Sequence, residues 1–341
     1  YTRMESSAAS DVYKRQGLKG VPRGTVKKLR IYEFHFGYNG MGGHINVGID
    51  GPWDVRRIRG TVPVYEDGSA LFRVPANTPL AVQPLDSKGR ALQVMRSWYT
   101  AMPGELATCV GCHEPQNSTP RRKFTIAATK PPSDIEPWRG PVRGFAFKRE
   151  VQPVLDKYCI GCHDGIQREG EKPRPNFADT GSGWRGFTNS YIALHPYVRR
   201  PGPESDYRLQ KPLEWHASTS ELVQMLEKGH NGVKLDAEAW DRLVTWIDLN
   251  VPDHGTWAEH RGEINQIVQR RLEMRAKYAN CLENPEEYAA PEPERVPFVR
   301  PSPAAQRKPF AGKVPDWPFD AATAAKRQGD IDAPSRLEID L

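Results

Sequence analysis

The sequence predicts an α+β protein: a small antiparallel β-sandwich or sheet, then an α-helical domain, then a proline-rich tail. Three observations carry this. Strand-like runs recur at about 8–12-residue spacing between residues 24 and 105, with turn signals between them. From residue 144 onward the apolar period changes to that of a helix. Positions 291–318 hold eight prolines and little apolar content, which reads as an extended linker.

Composition bounds the rest. A chain of 341 residues allows about two domains. Mean hydropathy is low at −0.67, yet 9 Trp, 12 Tyr and 11 Phe supply mass for a core. No apolar run reaches the length of a transmembrane helix. The net charge of +6 is spread along the chain without the clustered basic face that nucleic-acid binding requires. Residues 1–16 (YTRMESSAASDVYKRQ) lack periodicity and resemble a translated sequencing-adapter scar. They are set aside from fold reasoning as an artefact, and the chain is expected to be a fragment whose export signal lies elsewhere.

In chain order, a β-rich domain is expected over 17–120. Its strands are read in VKKLRIYEFHF, TVPVYE (61–66), ALFRV (70–74), PLAVQPL (79–85) and ALQVMRSWY (91–99). The turns are Asp67-Gly68 and Asp86-Ser87-Lys88-Gly89. Residues 121–143 are polar and proline-rich, which suits a linker. A helical, cytochrome c-like domain, of a kind whose amphipathic helices enclose a porphyrin, follows over 144–260. Val151, Val154, Leu155 and Tyr158 share one helix face. Leu222, Met225 and Leu226 repeat the spacing after a capping box read as Ser218…Glu221, with a stop at Gly229. Trp240, Leu243, Val244 and Ile247 repeat it again behind an N-cap at Asp236. Trp240 and Trp246 read first as core. Residues 261–341 divide into a charged helix and the proline-rich tail.

The sharpest signal is two C-x-x-C-H pentads: Cys109, Cys112 and His113, then Cys159, Cys162 and His163. In a c-type cytochrome the two thiols add across the haem vinyl groups, and the adjacent histidine ligates the iron from one face. Two intervening residues let both sulfurs reach one porphyrin edge while the chain turns the histidine under the metal. At this cysteine and histidine content the expected number of chance pentads is about 0.002. A zinc site of paired C-x-x-C units wants about 15–20 residues between pairs, whereas 46 intervene here and each pair carries a histidine in register. Thiol redox chemistry would use one such motif at a strand–helix junction. Cys281, in a polar stretch, reads as incidental. Two covalent haem c groups are therefore expected. Their attachment implies a periplasmic or otherwise extracytoplasmic protein, and their propionates would offset most of the positive charge.

Each iron then needs a sixth ligand. For the second haem the candidates after His163 are His195, His216, Met225, His230, His254 and His260. His230 ranks first, because it follows a tight helix stop from which a loop can fold back over a porphyrin. His216 ranks second, and Met225 falls on the apolar stripe. For the first haem, His35 and His44 flank the glycine-rich stretch 37–43. If neither ligates, the iron keeps an open position where substrate chemistry could occur.

The stretch from HFGYNGMGGHINVGIDGPWDVRRIRGTVPVYEDG through ALQVMRSWYTAMPGELATCVGCHEPQN resembles the hydrazine synthase alpha-subunit-related proteins, and REVQPVLDKYCIGCHDG is similar to planctomycete-type cytochrome c domains. The resemblance spans about residues 26–260. It implies a β-propeller upstream in the parent protein. It also implies a reactive first haem at Cys109, Cys112 and His113, and a bis-histidine relay haem at Cys159, Cys162 and His163. In the synthases a tyrosine four residues after the first motif histidine is thought to bind iron while that histidine turns to zinc. Asn117 stands there in this chain, so His113 is expected to be an ordinary axial ligand and hydrazine synthesis itself is not expected. WPFDAATAAKRQ looks like the linker before a formylglycine-generating-enzyme-like domain. The reading that results is an exported dihaem electron-transfer module of a larger oxidoreductase, with unidentified redox partner proteins, a hetero-oligomeric setting and no catalytic residue assigned. The alternative is a redox enzyme acting on a small nitrogen compound or peroxide at an open first haem.

Overall fold

In the computed structural model the described residues are 2–7, 16–109, 124–167, 169, 173–198, 209–262 and 264–287. All of them fall in the unit formed by residues 1–300. The proline-rich stretch 291–318 and the remaining tail lie outside the described residues, as do Cys112, His113 and Asn117. The strands are β1 (Thr2–Ser7), β2 (Lys28–His35), β3 (Val55–Pro63), β4 (Ser69–Val74), β5 (Leu80–Leu85), β6 (Leu106–Cys109) and β7 (Arg143–Gly144). The α-helices are α1 (Phe147–Glu150), α2 (Gln152–Tyr158), α3 (Asn189–Leu194), α4 (Glu221–Glu227), α5 (Ala237–Asp248), α6 (Trp257–Arg261) and α7 (Asn265–Met274). The α+β class is thus observed, and no described helix is long and apolar enough to cross a membrane.

The strands form two sheets, one ordered β5-β2-β3-β7 and fully antiparallel, the other β4-β1-β6. In the second sheet β1 pairs antiparallel with β4 and parallel with β6. Thr2–Ser7, set aside in the sequence reading, therefore occupies the middle of that sheet.

Alternation along β2 explains the layering. Leu29 and Ile31 join Val62, Ala70, Phe72, Val74 and Leu80 in one apolar cluster between the two sheets. Tyr32 and Phe34 point the other way and join Phe147, Val151, Leu155, Leu243, Trp246 and Ile247. The four-stranded sheet is thus the middle layer, buried on both faces, and its far face shares a single core with the helices. The described part of the 121–143 stretch stitches the sheets together. Ser133 bridges to Phe72, Glu136 bridges to Thr61, and β7 extends the four-stranded sheet.

Burial on both faces leaves Arg30 of β2 without water. Its Nη1 donates to Gln83 Oε1 at 2.7 Å and its Nη2 to Thr245 Oγ1 of α5 at 2.8 Å. Gln83 Nε2 in turn donates to the Asp248 carbonyl at 2.8 Å. The Asp248 carboxylate accepts from Ala91 N at 2.7 Å and Ala217 N at 2.8 Å. The network joins β2 and β5 to α5 and to the turn before α4. Close backbone contact does the same at Gly144, where a Cβ would lie 1.8 Å from the Gly255 carbonyl oxygen.

Several boundaries differ from the sequence reading. Residues 91–99 form backbone bridges to the sheet only near their ends, Ala91–Leu85 and Tyr99–Leu80. Between them the Met95 carbonyl accepts from Tyr32 Oη at 2.5 Å, so a side chain replaces the ladder. β3 begins at Val55, because Arg56, Arg57 and Arg59 find buried partners that their charge concealed. The cap of α4 is Ser220, two residues after Ser218, because residues 217–219 form a separate 3-10 turn. Gly229 ends that helix with φ +88°, and Asp236 caps α5, both as expected. The charged helix is α7, which continues into a π turn over Arg275–Ala279. Beyond it Glu283 pairs with Arg57 and Arg59, and Glu286 pairs with His35, fastening the segment to β2 and β3.

Arg30→Met should lower stability by about 3 kcal/mol at pH 8, since Gln83 and Thr245 lose a buried partner and Asp248 its nearest cation. Burial already pushes the Asp248 carboxyl up to about 6. Removing Arg30 would raise that carboxyl further, so the variant's deficit should shrink as pH falls from 8 towards 6, where its Asp248 is already protonated, and change little below that. Urea midpoints at pH 8 and pH 5 measure both effects.

Candidate metal centre

The second pentad is built by a helix end. α2 runs to Tyr158, and Cys159 N still donates to the Leu155 carbonyl at 2.8 Å. The chain then tightens. Cys162 N and His163 N both donate to the Cys159 carbonyl, at 3.1 and 3.0 Å. This turn carries Cys159, Cys162 and His163 on consecutive corners, and both cysteines are free thiols. Burial pushes the Cys159 thiol up to about 12, with Cys162 and Asp156 adding to the shift. A raised pKa leaves this thiol neutral and a poor nucleophile for exchange chemistry.

His163 is oriented from behind. Its Nδ1 donates to the Pro175 carbonyl at 3.2 Å, which fixes the tautomer and leaves Nε2 as the acceptor nitrogen. Phe177 lies against the same ring, with centroids 4.6 Å apart and planes 25° from parallel. The imidazole is therefore held on one edge and one face.

Across from it stands His230, whose ring centre lies 6.1 Å from that of His163 with planes 30° apart. A transition metal holds an imidazole nitrogen at about 2 Å, and that nitrogen is about 1 Å from its ring centre, so two imidazoles in line on one ion are spaced by about 6 Å. The two rings keep that spacing. His230 sits in the turn beyond Gly229, loosely held by Asn231 Nδ2 at 3.3 Å from its Nε2. Burial lowers the pKa of both histidines, with Arg174 adding to the effect at His230, so both rings favour the neutral, ligating form. The donor set fits an iron porphyrin held by two thioethers and two imidazoles.

The other candidates lie elsewhere. His216 is fully buried beside the α4 turn, and burial lowers its pKa to about 4. His195 sits 3.2 Å from the Ile49 carbonyl. Met225 packs against the main core. Trp246 is core, donating to the Pro252 carbonyl at 3.0 Å, while Trp240 is partly buried under Arg90. His254 and His260 form a pair of their own, 5.4 Å apart. Cys281 Sγ accepts from Arg275 Nη2 at 2.9 Å.

Of the first pentad, Cys109 closes β6 and packs on the inter-sheet cluster near Tyr99, whose hydroxyl is pushed up by burial. Cys112 and His113 lie outside the described residues. His35 is buried, with Nε2 on the Glu286 carboxylate and Tyr38 at its edge. His44 Nε2 accepts from Trp53 Nε1 at 3.0 Å. Among the described residues no group of three or more His, Cys, Asp or Glu side chains gathers around a common point. Sequence reasoning missed the Pro175 carbonyl and the Phe177 ring. A backbone acceptor leaves no mark in residue types, and Phe177 carried no periodicity.

Residues 24–114 match the family model described as the hydrazine synthase alpha subunit middle domain. No curated protein matches the chain by sequence. Among solved structures, Kuenenia stuttgartiensis hydrazine synthase superposes with a TM-score of 0.53 at 20% identity, over 74% of this chain and 44% of the other. The chain therefore spans less than half of the length of that structure.

The C-terminal end of α2 is tied to α5 through Asp236, which accepts from Tyr158 Oη at 2.7 Å, Lys157 Nζ at 2.9 Å and Ala239 N at 2.8 Å. These bonds hold its carboxyl well below the usual carboxylate range. Asp236→Ala should cost about 1 kcal/mol as a lost cap. A depressed carboxyl stabilises the fold above its unfolded pKa, so the difference from the parent should fade as pH drops below 4. Thermal melts at pH 7 and pH 3 check this.

Proposed function

Since this chain is related to the hydrazine synthase alpha subunit through residues 24–114, we propose that it is an exported dihaem c-type cytochrome module that transfers electrons within a larger oxidoreductase. The single observation that carries the reading is the 6.1 Å spacing of His163 and His230 beside the free thiols Cys159 and Cys162. When bound, a haem c supplies a reversible one-electron iron couple, and bis-histidine ligation keeps it low in potential. The chain's own residues supply the rest. Cys159 and Cys162 would anchor the porphyrin edge, Pro175 and Phe177 fix the His163 ring, and the Gly229 turn presents His230. With His163 and His230 both on its iron, such a haem would leave no position for substrate and would serve as a relay. Cys109, Cys112 and His113 would hold the first haem.

Haem attachment through these pentads would require the periplasm or another extracytoplasmic compartment. Its redox partners are proteins, and a hetero-oligomer fits a module that spans part of a larger enzyme. A second reading, redox chemistry on a small nitrogen compound or peroxide at the first haem, is favoured by His35. The structure commits that ring to Glu286, so its use as a sixth ligand would require a buried hydrogen bond to open.

A pyridine haemochrome assay on protein matured with cytochrome c assembly factors should count two haems per chain. One or none would overturn the dihaem reading. His230→Ala should convert one haem from low spin to a form that binds carbon monoxide, seen as a shifted Soret band. If carbon monoxide already binds one haem of the unaltered protein, the open-site reading of the first haem gains its site.

A further inference from the structure

We propose that His254 and His260 form a second, haem-independent site for a borderline divalent transition ion such as zinc. The two rings face each other at the junction between the α5–α6 connection and α6, with centres 5.4 Å apart and planes at 49°. Two imidazoles on one tetrahedral ion are spaced by about 5 Å, on the same bond lengths that give about 6 Å for a linear pair. The separation suits a bent pair rather than simple ring stacking, for which the planes would be closer to parallel or perpendicular.

Ring nitrogens at this point lack protein partners. His254 Nε2 and both nitrogens of His260 are enclosed atoms with no hydrogen bond among the described residues. The His254 side chain is only 9% exposed. An enclosed, unpaired ring nitrogen is destabilising, and a bound cation removes that penalty for each nitrogen it ligates.

The support behind His254 has the form that metal-binding histidines use. Asp253 Oδ2 lies 3.4 Å from His254 Nδ1, leaving Nε2 to face away from the carboxylate. Asp253 is held in turn by Thr188 Oγ1, which donates to its Oδ1 at 2.7 Å. Phe187 stacks on His254 at 5.6 Å and Trp257 meets the edge of His260 at 6.4 Å, so neither ring is loosely placed. Imidazole ligands suit zinc, copper and nickel, and exclude the oxygen-seeking calcium and magnesium. Two protein ligands leave two positions for water or an anionic ligand. Arg185 and Arg261, close enough to lower the His260 pKa, favour an anion there.

The test is zinc retention by the full chain, stripped with chelator and dialysed against buffered free zinc, with metal counted per chain by atomic absorption. The parent should hold one zinc more than either His260→Gln or His254→Gln at the same free zinc, and each variant should bind at that site at least tenfold more weakly. Asp253→Asn should weaken it about tenfold while leaving the stoichiometry at saturation unchanged. His44→Gln serves as the control and should match the parent. Circular dichroism confirms folding of the variants, and half-exposed His260 is the substitution least costly to the core. Equal zinc counts in the parent and the folded His260→Gln variant would overturn the proposal. So would no retention by the parent, in which case an internal water satisfies the two rings. Neither result bears on the haem count.

Discussion

A guanidinium buried between two layers sets the relation of the sheet to the helices. Arg30 lies on the helix-facing side of a strand covered on both faces, so every partner it has must come from protein. Gln83 supplies one from the neighbouring strand and Thr245 another from α5, and Gln83 passes the connection on to the Asp248 main chain. Asp248 then fixes the start of residues 91–99 and the turn before α4. An apolar interface alone would tolerate sliding. A polar network with directional bonds specifies one position, because each alternative leaves a charged group dry and unpaired.

From that fixed frame the placement of the candidate centre follows. α5 is held by the network, and its cap Asp236 receives Tyr158 and Lys157 from the end of α2. The pentad begins at the next residue. α4 leaves the same frame and ends at Gly229, which turns the chain so that His230 faces His163. Neither imidazole is placed by its own contacts alone. Their spacing is inherited from two helices docked on one sheet, which is why 6.1 Å between them carries more weight than the presence of either histidine.

The two histidine pairs illustrate one rule at two angles. His163 and His230 are spaced for a linear arrangement, with a backbone carbonyl behind the first. His254 and His260 are spaced for a bent one, with a carboxylate behind the first. In each case one histidine is oriented through Nδ1, and the partner comes from a turn or short helix whose position the core decides. Ring spacing and rear support, taken together, set these two pairs apart from histidines such as His216 and His35, which the fold buries or pairs with other groups.

The sequence by itself determined the α+β order, most strand and helix spans, the caps at Asp236 and Gly229, and the chemistry expected of the two pentads. These are local: alternation, helical period, turn residues and thiol spacing act over a few residues, where chain connectivity already fixes proximity. Only the tertiary structure decided that Thr2–Ser7 completes a sheet, that residues 91–99 leave the ladder for Tyr32, and that His230 rather than His216 faces His163. It alone gathered Arg30, Gln83, Thr245 and Asp248, and brought Pro175 behind the motif histidine. Those outcomes depend on which buried polar groups find partners across tens or hundreds of residues, and residue order carries no distance for groups so far apart.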